Sequence, residues 1–401
     1  MKRFLLIISL SVVAAVVQAQ QIKMPKLGKE LTSREIVEYL ASDALQGRLG
    51  GTKGDTLASD FIYAQMKKLG LNPVKQEFTV KRGNVVTFNV YGKVEGSTGK
   101  YIVIGAHYDH LGLGGKEIGS RRPDTVAVHN GADDNASGVA GVLHLAKHYA
   151  KERNLEHGFI FVAFGAEERG IVGSKHFAEN MDPKSVVAMV NFDMIGNLRN
   201  NAITLGGTGT AKEMEDIIYW AEKENWNALK ITRSAQGHGP SDHTSFYAKN
   251  IPVFYITTGA TEDYHTPDDD SYKIKFGGID SVANFVKCLV NQIQKYPQGL
   301  TFTDTGSPEA SPMRGGFKVS LGLMPDVTGQ VENGLRADMV VKGKPAHKAG
   351  MKNGDVIIQV NDIKIKDIEV YMKALGTLYK GDLVKVKVLR GAEEIVLNVQ
   401  L

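Results

Sequence analysis

The stretch Gly158-Phe-Ile-Phe-Val-Ala-Phe164 is almost entirely apolar, and two adjacent acids, Glu167 and Glu168, follow it closely. A short apolar run of this kind is typical of a strand that is buried on both faces of a helix-covered sheet. The two carboxylates then lie at the carboxyl end of the strand, where open α/β sheets carry their binding sites. Neighbouring side chains point in different directions, so one Glu can hold a metal while the other takes a proton from water. Alone, such a pair is usually a solvated surface turn.

Short apolar strands alternate with helical periodicity along most of the chain. Further strands are predicted at 101–104, 186–192 and 253–256, and helices at 137–150, 174–180, 211–225 and 278–296. Two helices within about 31–71 and a β pattern at 77–80 and 84–94 precede them. This alternation predicts an α/β fold with a mostly parallel central sheet that is covered by helices on both faces.

The length and composition favour two domains. The chain has 401 residues, which exceeds one typical hydrophobic core. Residues 299–315 are rich in Pro, Gly, Ser and Thr and are predicted to form a linker. The α/β domain is therefore expected at 20–298, and a smaller β-rich module with one helix near 368–378 is expected at 316–401.

The amino terminus is typical of a secretion signal. Lys2 and Arg3 precede an apolar run that is too short to span a membrane comfortably, and Val17-Gln-Ala19 resembles a small-x-small cleavage site. We therefore expect a signal peptide at 1–19 and an exported protein, periplasmic or secreted, with no stable membrane insertion after cleavage. An uncleaved anchor is the alternative.

Charge and cysteine content restrict the possible functions. The formal net charge is +4, and no basic run is longer than Arg121-Arg122, so we expect no nucleic-acid partner. Cys288 is the single cysteine, which excludes an intrachain disulfide and a cysteine-ligated zinc site. Any metal must therefore be held by histidines and carboxylates.

Acids and histidines cluster where the predicted strands end or the next helix begins. They are His107 and Asp109, Asp133 and Asp134, Glu167 and Glu168, Asp193, and His265. Two histidines and three of these carboxylates would make a ligand set that suits divalent metals, zinc first. Five such ligands can hold two metal ions if one carboxylate bridges both ions. Asp109 is close enough to His107 in sequence to orient its imidazole. Taken singly, each residue is equally typical of a helix cap or a turn.

The order and spacing of these residues resemble the secreted two-zinc aminopeptidase family over roughly residues 30–298. The motifs that carry the resemblance are Gly105-Ala-His-Tyr-Asp109, Gly131-Ala-Asp-Asp-Asn-Ala-Ser-Gly138, Ala166-Glu-Glu168, Asn191-Phe-Asp-Met-Ile-Gly196 and Tyr264-His-Thr-Pro-Asp268. The resemblance implies a zinc exopeptidase fold and an enzyme that removes N-terminal residues from peptide substrates.

The resemblance also implies how two zinc ions are held. His107 and Asp193 would bind one ion, Glu168 and His265 would bind the other, and Asp134 would bridge both. The peptide bond between Asp134 and Asn135 would be cis. Other divalent metals, cobalt or manganese, could occupy the same ligands.

Three further roles follow from the same family motifs. Glu167 would be the general base, which takes a proton from the water and returns it to the leaving amine. Tyr264 would donate a hydrogen bond to the developing oxyanion, or would simply pack beside His265. The run Ser241-Asp-His243 also matches a family motif near the site, and would support the site or contact the substrate.

One departure from the family concerns access to the site. Many relatives carry an inserted protease-associated domain before the first histidine, and the run before His107 is too short for one. Substrate access would then depend on loops such as 111–129. That segment has no clear periodicity, and a solvated excursion is the alternative interpretation.

The C-terminal stretch resembles a bacterial PDZ domain. Pro345-Ala-His-Lys-Ala-Gly-Met351 and Asn353-Gly-Asp-Val-Ile-Ile-Gln-Val360 carry the resemblance. The segment Leu321-Gly322-Leu323 would form its carboxylate-binding loop, where backbone N–H groups hold the C-terminus of a peptide or protein that adds as a strand. Alternatively, the module only stabilises the enzyme.

Three other functions remain open at this point. A glutaminyl cyclase-like transferase and a carboxypeptidase could use the same fold, although such a cyclase needs only a reduced ligand set. A non-catalytic binder with a dominant PDZ module is the third, although inactive relatives usually have broken ligand sets.

Overall fold

The computed structural model describes residues 30–81, 83–225, 229–305, 319–325, 331, 333–340 and 343–401. The signal peptide predicted at 1–19, most of the linker predicted at 299–315 and the first residues of the module predicted at 316–401 lie outside these ranges. Within them, no helix is both long and apolar enough to cross a membrane.

The larger module contains a mixed sheet, for which the described residues supply eight strands in the order β1-β2-β4-β3-β5-β8-β6-β7. The strands are β1 (Val74–Val80), β2 (Val85–Val94), β3 (Tyr101–His107), β4 (Gly158–Phe164), β5 (Val186–Phe192), β6 (Ala202–Gly206), β7 (Lys230–Arg233) and β8 (Val253–Thr257). The central strands β4, β3, β5 and β8 are parallel. The mostly parallel sheet predicted from the sequence is confirmed, and antiparallel pairs extend it on both sides.

Helices cover both faces of this sheet. They are α1 (Ser33–Leu40), α2 (Lys53–Lys68), α3 (Gly138–Tyr149), α4 (Val172–Glu179), α5 (Met214–Glu224), α6 (His243–Tyr247) and α7 (Phe276–Ile293). Alternate residues of β3 point to opposite faces: Ile102 and Ile104 belong to the core under α3 and α7, and Val103 belongs to the core under α4 and α6. Because both faces are buried, the central strands are apolar along their whole length.

The parallel strands bring their carboxyl ends to one edge of the sheet. The segments that follow β3, β4, β5 and β8 therefore meet there, together with the turn that leads into α3. This is the general position of binding sites in open α/β sheets.

The C-terminal module has its own hydrophobic core and antiparallel strands. Its elements are β9 (Leu323–Pro325), β10 (Leu335–Val340), α8 (Pro345–Lys348), β11 (Val356–Val360), β12 (Ile363–Lys364), α9 (Ile368–Gly376), β13 (Leu383–Arg390) and β14 (Glu393–Gln400). A separate β-rich module, as predicted, is thus confirmed.

The predicted carboxylate-binding loop of this module requires a glycine. Gly322 has φ +75°, and a Cβ there would lie 2.2 Å from the Cβ of Lys344. The N–H of Gly322 donates to Ser320 Oγ at 3.0 Å, and the carbonyl of Leu321 accepts from the N–H of Ala346 at 2.8 Å.

An ion pair between a buried aspartate and a partly exposed arginine connects the turn before β11 to the end of β13. Asp355 is buried and accepts from Arg390 Nε at 2.8 Å and from Arg390 Nη2 at 2.7 Å, while the N–H of Lys352 donates to the same carboxylate at 2.9 Å. Burial alone would raise the pKa of Asp355, but the bonds from Arg390 and Lys352 outweigh it and the pKa lies below its usual range.

We predict that Asp355→Asn lowers the melting temperature of the C-terminal module by about 5 °C or more at neutral pH, because the variant removes the buried acceptor of the pair with Arg390. The ionised Asp355 stabilises the fold above its unfolded-state pKa of about 3.9, and this contribution is lost as the pH falls through the lower folded-state value. Calorimetry of the full chain from pH 7 to pH 3 should show the two proteins converging in acid. The exposed Asp362→Asn is the matched control, and equal melting temperatures at pH 7 would contradict the prediction.

Candidate metal centre

The predicted ligands come together at the sheet edge. His107 is the last residue of β3, Asp193 directly follows β5, and Glu168 and His265 lie in the segments after β4 and β8. Asp134 lies in the turn before α3. His107, Asp134 and Glu168 each place a ligand atom within 4.8 Å of the others.

The backbone is unusual beside several of these ligands. Ala166, Met194 and His265 have φ values of 56°, 57° and 56°, in the left-handed region that non-glycine residues seldom occupy. They lie directly before Glu167, directly after Asp193 and at a ligand itself. Such backbone conformations concentrate where a site requires side chains in fixed directions.

Asp134 divides the side chains into two sets. Its Oδ1 lies 3.3 Å from His107 Nε2, and its Oδ2 lies 3.2 Å from His265 Nε2. Asp193 Oδ1 lies 3.8 Å from His107 Nε2, and Glu168 Oε2 lies 3.2 Å from His265 Nε2. The two oxygens of Asp134 therefore lie beside two different predicted histidine ligands, and each of these histidines lies beside a further carboxylate. A donor set made only of nitrogen and oxygen fits zinc.

The turn that carries Asp134 is fixed by its neighbour. The Asp134–Asn135 peptide bond is cis, as the resemblance implied. Asn135 Nδ2 donates to the carbonyl of Phe192 at 2.9 Å, and its Oδ1 accepts from the N–H of Met194 at 3.2 Å. These bonds attach the Asp134 turn to the segment on both sides of Asp193, which keeps two ligands of the first set together.

Asp109 contacts the site in two ways. His107 Nδ1 lies 3.2 Å from the backbone carbonyl of Asp109 and 3.9 Å from its carboxylate, so the carbonyl is the partner that orients the imidazole. The carboxylate accepts from the N–H of Glu167 at 2.9 Å and from that of Glu168 at 3.3 Å. Asp109 therefore fixes the two glutamates as well as His107.

The loop 111–129 is attached to the second ligand set. The carbonyl of Gly119 lies 3.2 Å from His265 Nδ1, and the N–H of Arg121 donates to the carbonyl of His265 at 2.9 Å. Arg122 forms an ion pair with Asp268. The middle of the loop is therefore attached to His265 through two backbone groups, while residues 122–126 are exposed to solvent, Val126 by 85%.

The two adjacent glutamates have opposite titration behaviour. Burial raises the pKa of Glu167 well above its usual range, and the neighbouring Glu168 and Asp242 add to this while His107 opposes it. Burial would also raise the pKa of Glu168, but His265 and the hydrogen bond from His110 outweigh it, and the pKa falls to about 2. The side chains alone thus keep Glu168 ionised and make Glu167 more basic.

The histidines and the bridging acid form a strongly coupled set. Burial would lower the pKa of His107 and of His265, but the surrounding carboxylates raise both values well above normal. Burial would raise the pKa of Asp134, yet His107 and His265 hold it well below normal. The carboxylates at this sheet edge therefore attract positive charge.

Two other residues that the family motifs pointed to lie at the site. Tyr264 stacks on His265, with ring centroids 3.8 Å apart and planes 16° apart. Burial and the nearby Asp134, Glu168 and Glu167 raise the pKa of Tyr264 well above normal. Asp242 is fully buried, and neither of its carboxylate oxygens has a hydrogen-bond partner among the described residues.

Sequence reasoning missed Arg48, which is fully buried behind the ligands. Its guanidinium donates to the carbonyl of Tyr108 at 2.6 Å, to that of Asn130 at 2.6 Å, to that of Gly131 at 2.9 Å, and to that of Leu40. One cation thereby ties the segment after His107 to the turn before Asp134. Burial lowers the pKa of Arg48 to about 10, and nearby acids, Asp109 first, oppose that shift.

His110 was also missed, although it directly follows the first family motif. It is fully buried, and its Nδ1 lies 2.9 Å from Glu168 Oε1. The sequence showed only that another histidine follows His107 by three residues. It did not indicate which acid this histidine would contact.

Comparison with known proteins identifies the family. Residues 89–290 match peptidase family M28, and residues 320–401 match the PDZ domain. The chain belongs to peptidase family M28. The family match contains every predicted metal ligand, and the PDZ match contains the loop around Gly322.

Curated relatives of this M28 chain are aminopeptidases. It is 29% identical over 186 residues to aminopeptidase YwaD of Bacillus subtilis, an alignment that covers 43% of this chain and 40% of that protein. It is 24% identical over 314 residues to the probable lipoprotein aminopeptidase LpqL of Mycobacterium tuberculosis, which covers 68% of this chain and 59% of that protein. The chain thus spans roughly half the length of these relatives.

Solved structures share the fold of the M28 module. The zinc aminopeptidase BSAP of Bacillus subtilis superposes with a TM-score of 0.55 at 16% identity, covering 67% of this chain and 95% of that one. A glutaminyl cyclase of Porphyromonas gingivalis superposes with a TM-score of 0.56 at 17% identity, covering 65% and 96%. At such identities the likeness concerns the fold alone.

We predict that Arg48→Met destabilises the M28 module by about 3 kcal/mol or more, because four buried carbonyls lose their donor. The same variant should bind metal more weakly, since the turns that carry His107 and Asp134 are no longer tied together. Denaturant unfolding and metal analysis measure the two effects. Arg153→Met is the control at an exposed arginine before β4 and should cost about 0.5 kcal/mol or less. Equal stability of the two variants would contradict the proposed function of the buried cation.

Proposed function

We propose that this M28 chain is a two-zinc aminopeptidase that removes N-terminal residues from peptides. The observation that carries the proposal is the division of the two Asp134 oxygens between two ligand sets. One set is His107 with Asp193, and the other is His265 with Glu168. The aminopeptidase names of curated relatives support the same reaction class.

These residues would hold two ions in a two-metal hydrolytic site. Zinc held there would lower the pKa of water and polarise the carbonyl of the scissile bond. Asp134 supplies one oxygen to each ligand set, so a single carboxylate fixes the position of one set relative to the other. Asp109 and Gly119 orient the two imidazoles through backbone carbonyls.

Glu167 is the proposed general base. Its N–H is fixed by the Asp109 carboxylate at 2.9 Å, and its pKa is raised by burial and by Glu168. A carboxylate with a raised pKa accepts a proton from water more readily and can then return it to the leaving amine. Tyr264 lies on His265 and can donate to the oxyanion, or it can serve only to hold the ring.

The excess of carboxylates favours a substrate with a free amine. Beyond the acids of the two ligand sets, Glu167 and Asp242 lie close enough to influence each other electrostatically. An N-terminal ammonium brings a positive charge to this region, whereas a C-terminal carboxylate would be repelled by it. This favours an aminopeptidase over a carboxypeptidase.

A glutaminyl cyclase-like reaction is the second candidate, because a solved glutaminyl cyclase has the same fold. The complete pair of ligand sets around Asp134 favours hydrolysis, since such a transferase needs only a reduced set. For the C-terminal module, we propose that the loop around Gly322 binds the C-terminus of a peptide or protein. We also propose that the chain is exported, on the basis of its N-terminal signal.

We predict that Glu167→Gln lowers kcat by about 10²- to 10⁴-fold, the usual contribution of a general base. The side chain keeps its size but can no longer take a proton, and metal content should remain at two ions per chain. Steady-state kinetics on aminoacyl chromogenic substrates and metal analysis measure these quantities.

The control for this variant is Glu179→Gln, an exposed glutamate at the end of α4. It should behave as the wild-type protein. Retention of full activity by Glu167→Gln would remove the proposed base, and a wild-type content of one ion per chain would remove the two-ion proposal.

We predict that hydrolysis requires a free N-terminus. Acetylation of a test peptide should abolish cleavage, while amidation of its C-terminus should leave the rate within about threefold, because the acidic site attracts an ammonium. Mass spectrometry of the products identifies which end is shortened. Cleavage of the acetylated peptide from its C-terminus would establish a carboxypeptidase, and loss of ammonia from a Gln-initiated peptide without amide cleavage would establish the cyclase.

A further inference from the structure

We propose that His110 is a positioning residue that makes Glu168 present a single oxygen to its metal ion. His110 is not one of the five ligands, and the proposal rests on the two-ion site described above. The relevant geometry lies in one hydrogen bond and in the packing of one ring.

The hydrogen bond joins His110 Nδ1 to Glu168 Oε1 at 2.9 Å. The other oxygen of Glu168, Oε2, faces His265 Nε2 at 3.2 Å. A carboxylate that binds a metal is deprotonated and can only accept hydrogen bonds, so Nδ1 must carry the proton. The two oxygens of Glu168 therefore have different partners, and only Oε2 is directed to the ligand set of His265.

The position of the imidazole is set by packing. A Cβ on Gly131 would lie 2.5 Å from both Cγ and Cδ2 of His110, so the ring lies directly against a glycine backbone with φ +57°. On another side His110 meets His265 edge to face, with centroids 5.7 Å apart. The packing against Gly131 and His265 therefore restricts rotation of the His110 ring, which donates the hydrogen bond to Glu168.

The far side of the ring has no polar role in the described structure. Nε2 of His110 is buried and has no hydrogen-bond partner there. Among the described residues, the bond from Nδ1 to Glu168 is therefore the hydrogen bond that the His110 ring makes. An asparagine at this position can place its amide N–H near the site of Nδ1, whereas a leucine fills similar volume without a donor.

The same hydrogen bond makes His110 unsuitable as a sixth metal ligand. Its Nδ1 is the nitrogen nearest the site, lying 3.8 Å from Asp134 Oδ2, and that nitrogen already donates to Glu168. A nitrogen that carries a proton has no lone pair to offer a metal. Its influence on the ion must pass through Glu168.

The test compares His110→Leu with His110→Asn in zinc-loaded protein. The measured quantity is the rate at which zinc passes to an excess of a chromophoric chelator. His110→Leu should release one of two equivalents about 10- to 100-fold faster than the wild-type protein, the usual effect of removing a residue that supports a ligand. The other equivalent should leave at the wild-type rate, and His110→Asn should recover most of the loss.

His157→Leu controls for the loss of a buried histidine, since His157 bonds Thr98 and Tyr296 far from the ligands. It should lower the melting temperature and leave zinc release unchanged. Unchanged release in His110→Leu would overturn the proposal, as would equal acceleration in His110→Asn, which would indicate a direct ligand. If the wild-type protein holds one ion only, the two-ion function fails, and the same comparison still decides whether His110 acts through Glu168.

Discussion

The constraint on which this structure depends is the neutralisation of buried negative charge at one edge of a sheet. Four parallel strands end together, and the segments that follow them carry acids that the fold removes from water. The buried acids are Asp109, Asp133, Asp134, Asp193, Asp242 and Asp269. Burying an unpaired carboxylate is costly, so each must either be compensated or take up a proton.

The chain compensates this charge in three ways. Backbone N–H groups donate to Asp109 and Asp269, and the imidazoles lie against the ligand oxygens. Arg48 adds one cation behind the turns, and it bonds carbonyls instead of pairing with a single acid. For Asp133, burial and Asp269 raise the pKa well above normal, so this side chain can reach neutrality by holding a proton. The remaining charge of the ligand sets is what two divalent ions would balance.

The sequence predicted the central strands well and the surroundings of the site less well. The strands at 158–164 and 186–192 match β4 and β5, because a strand buried on both faces is an uninterrupted apolar run. The strands β6 and β7 were missed because they are short and joined through long-range pairing. Arg48 could not be found, since a fully buried arginine in an irregular turn runs against the usual preference of that residue for the surface. The family motifs identified the predicted ligands and the predicted base. Arg48 and His110 hold other residues of the site in place, and their roles become visible only from the contacts that they make in the folded chain.

The adjacent Glu167 and Glu168 show why the environment decides function and residue type does not. Both lie after the same strand and both are anchored by Asp109 through their N–H groups. Glu168 turns toward His265 and His110 and its pKa falls to about 2, so it stays an anion. Glu167 turns toward Asp242 and its pKa rises well above normal. A pair of acids whose environments separate their pKa values in this way can divide ligand and base between them.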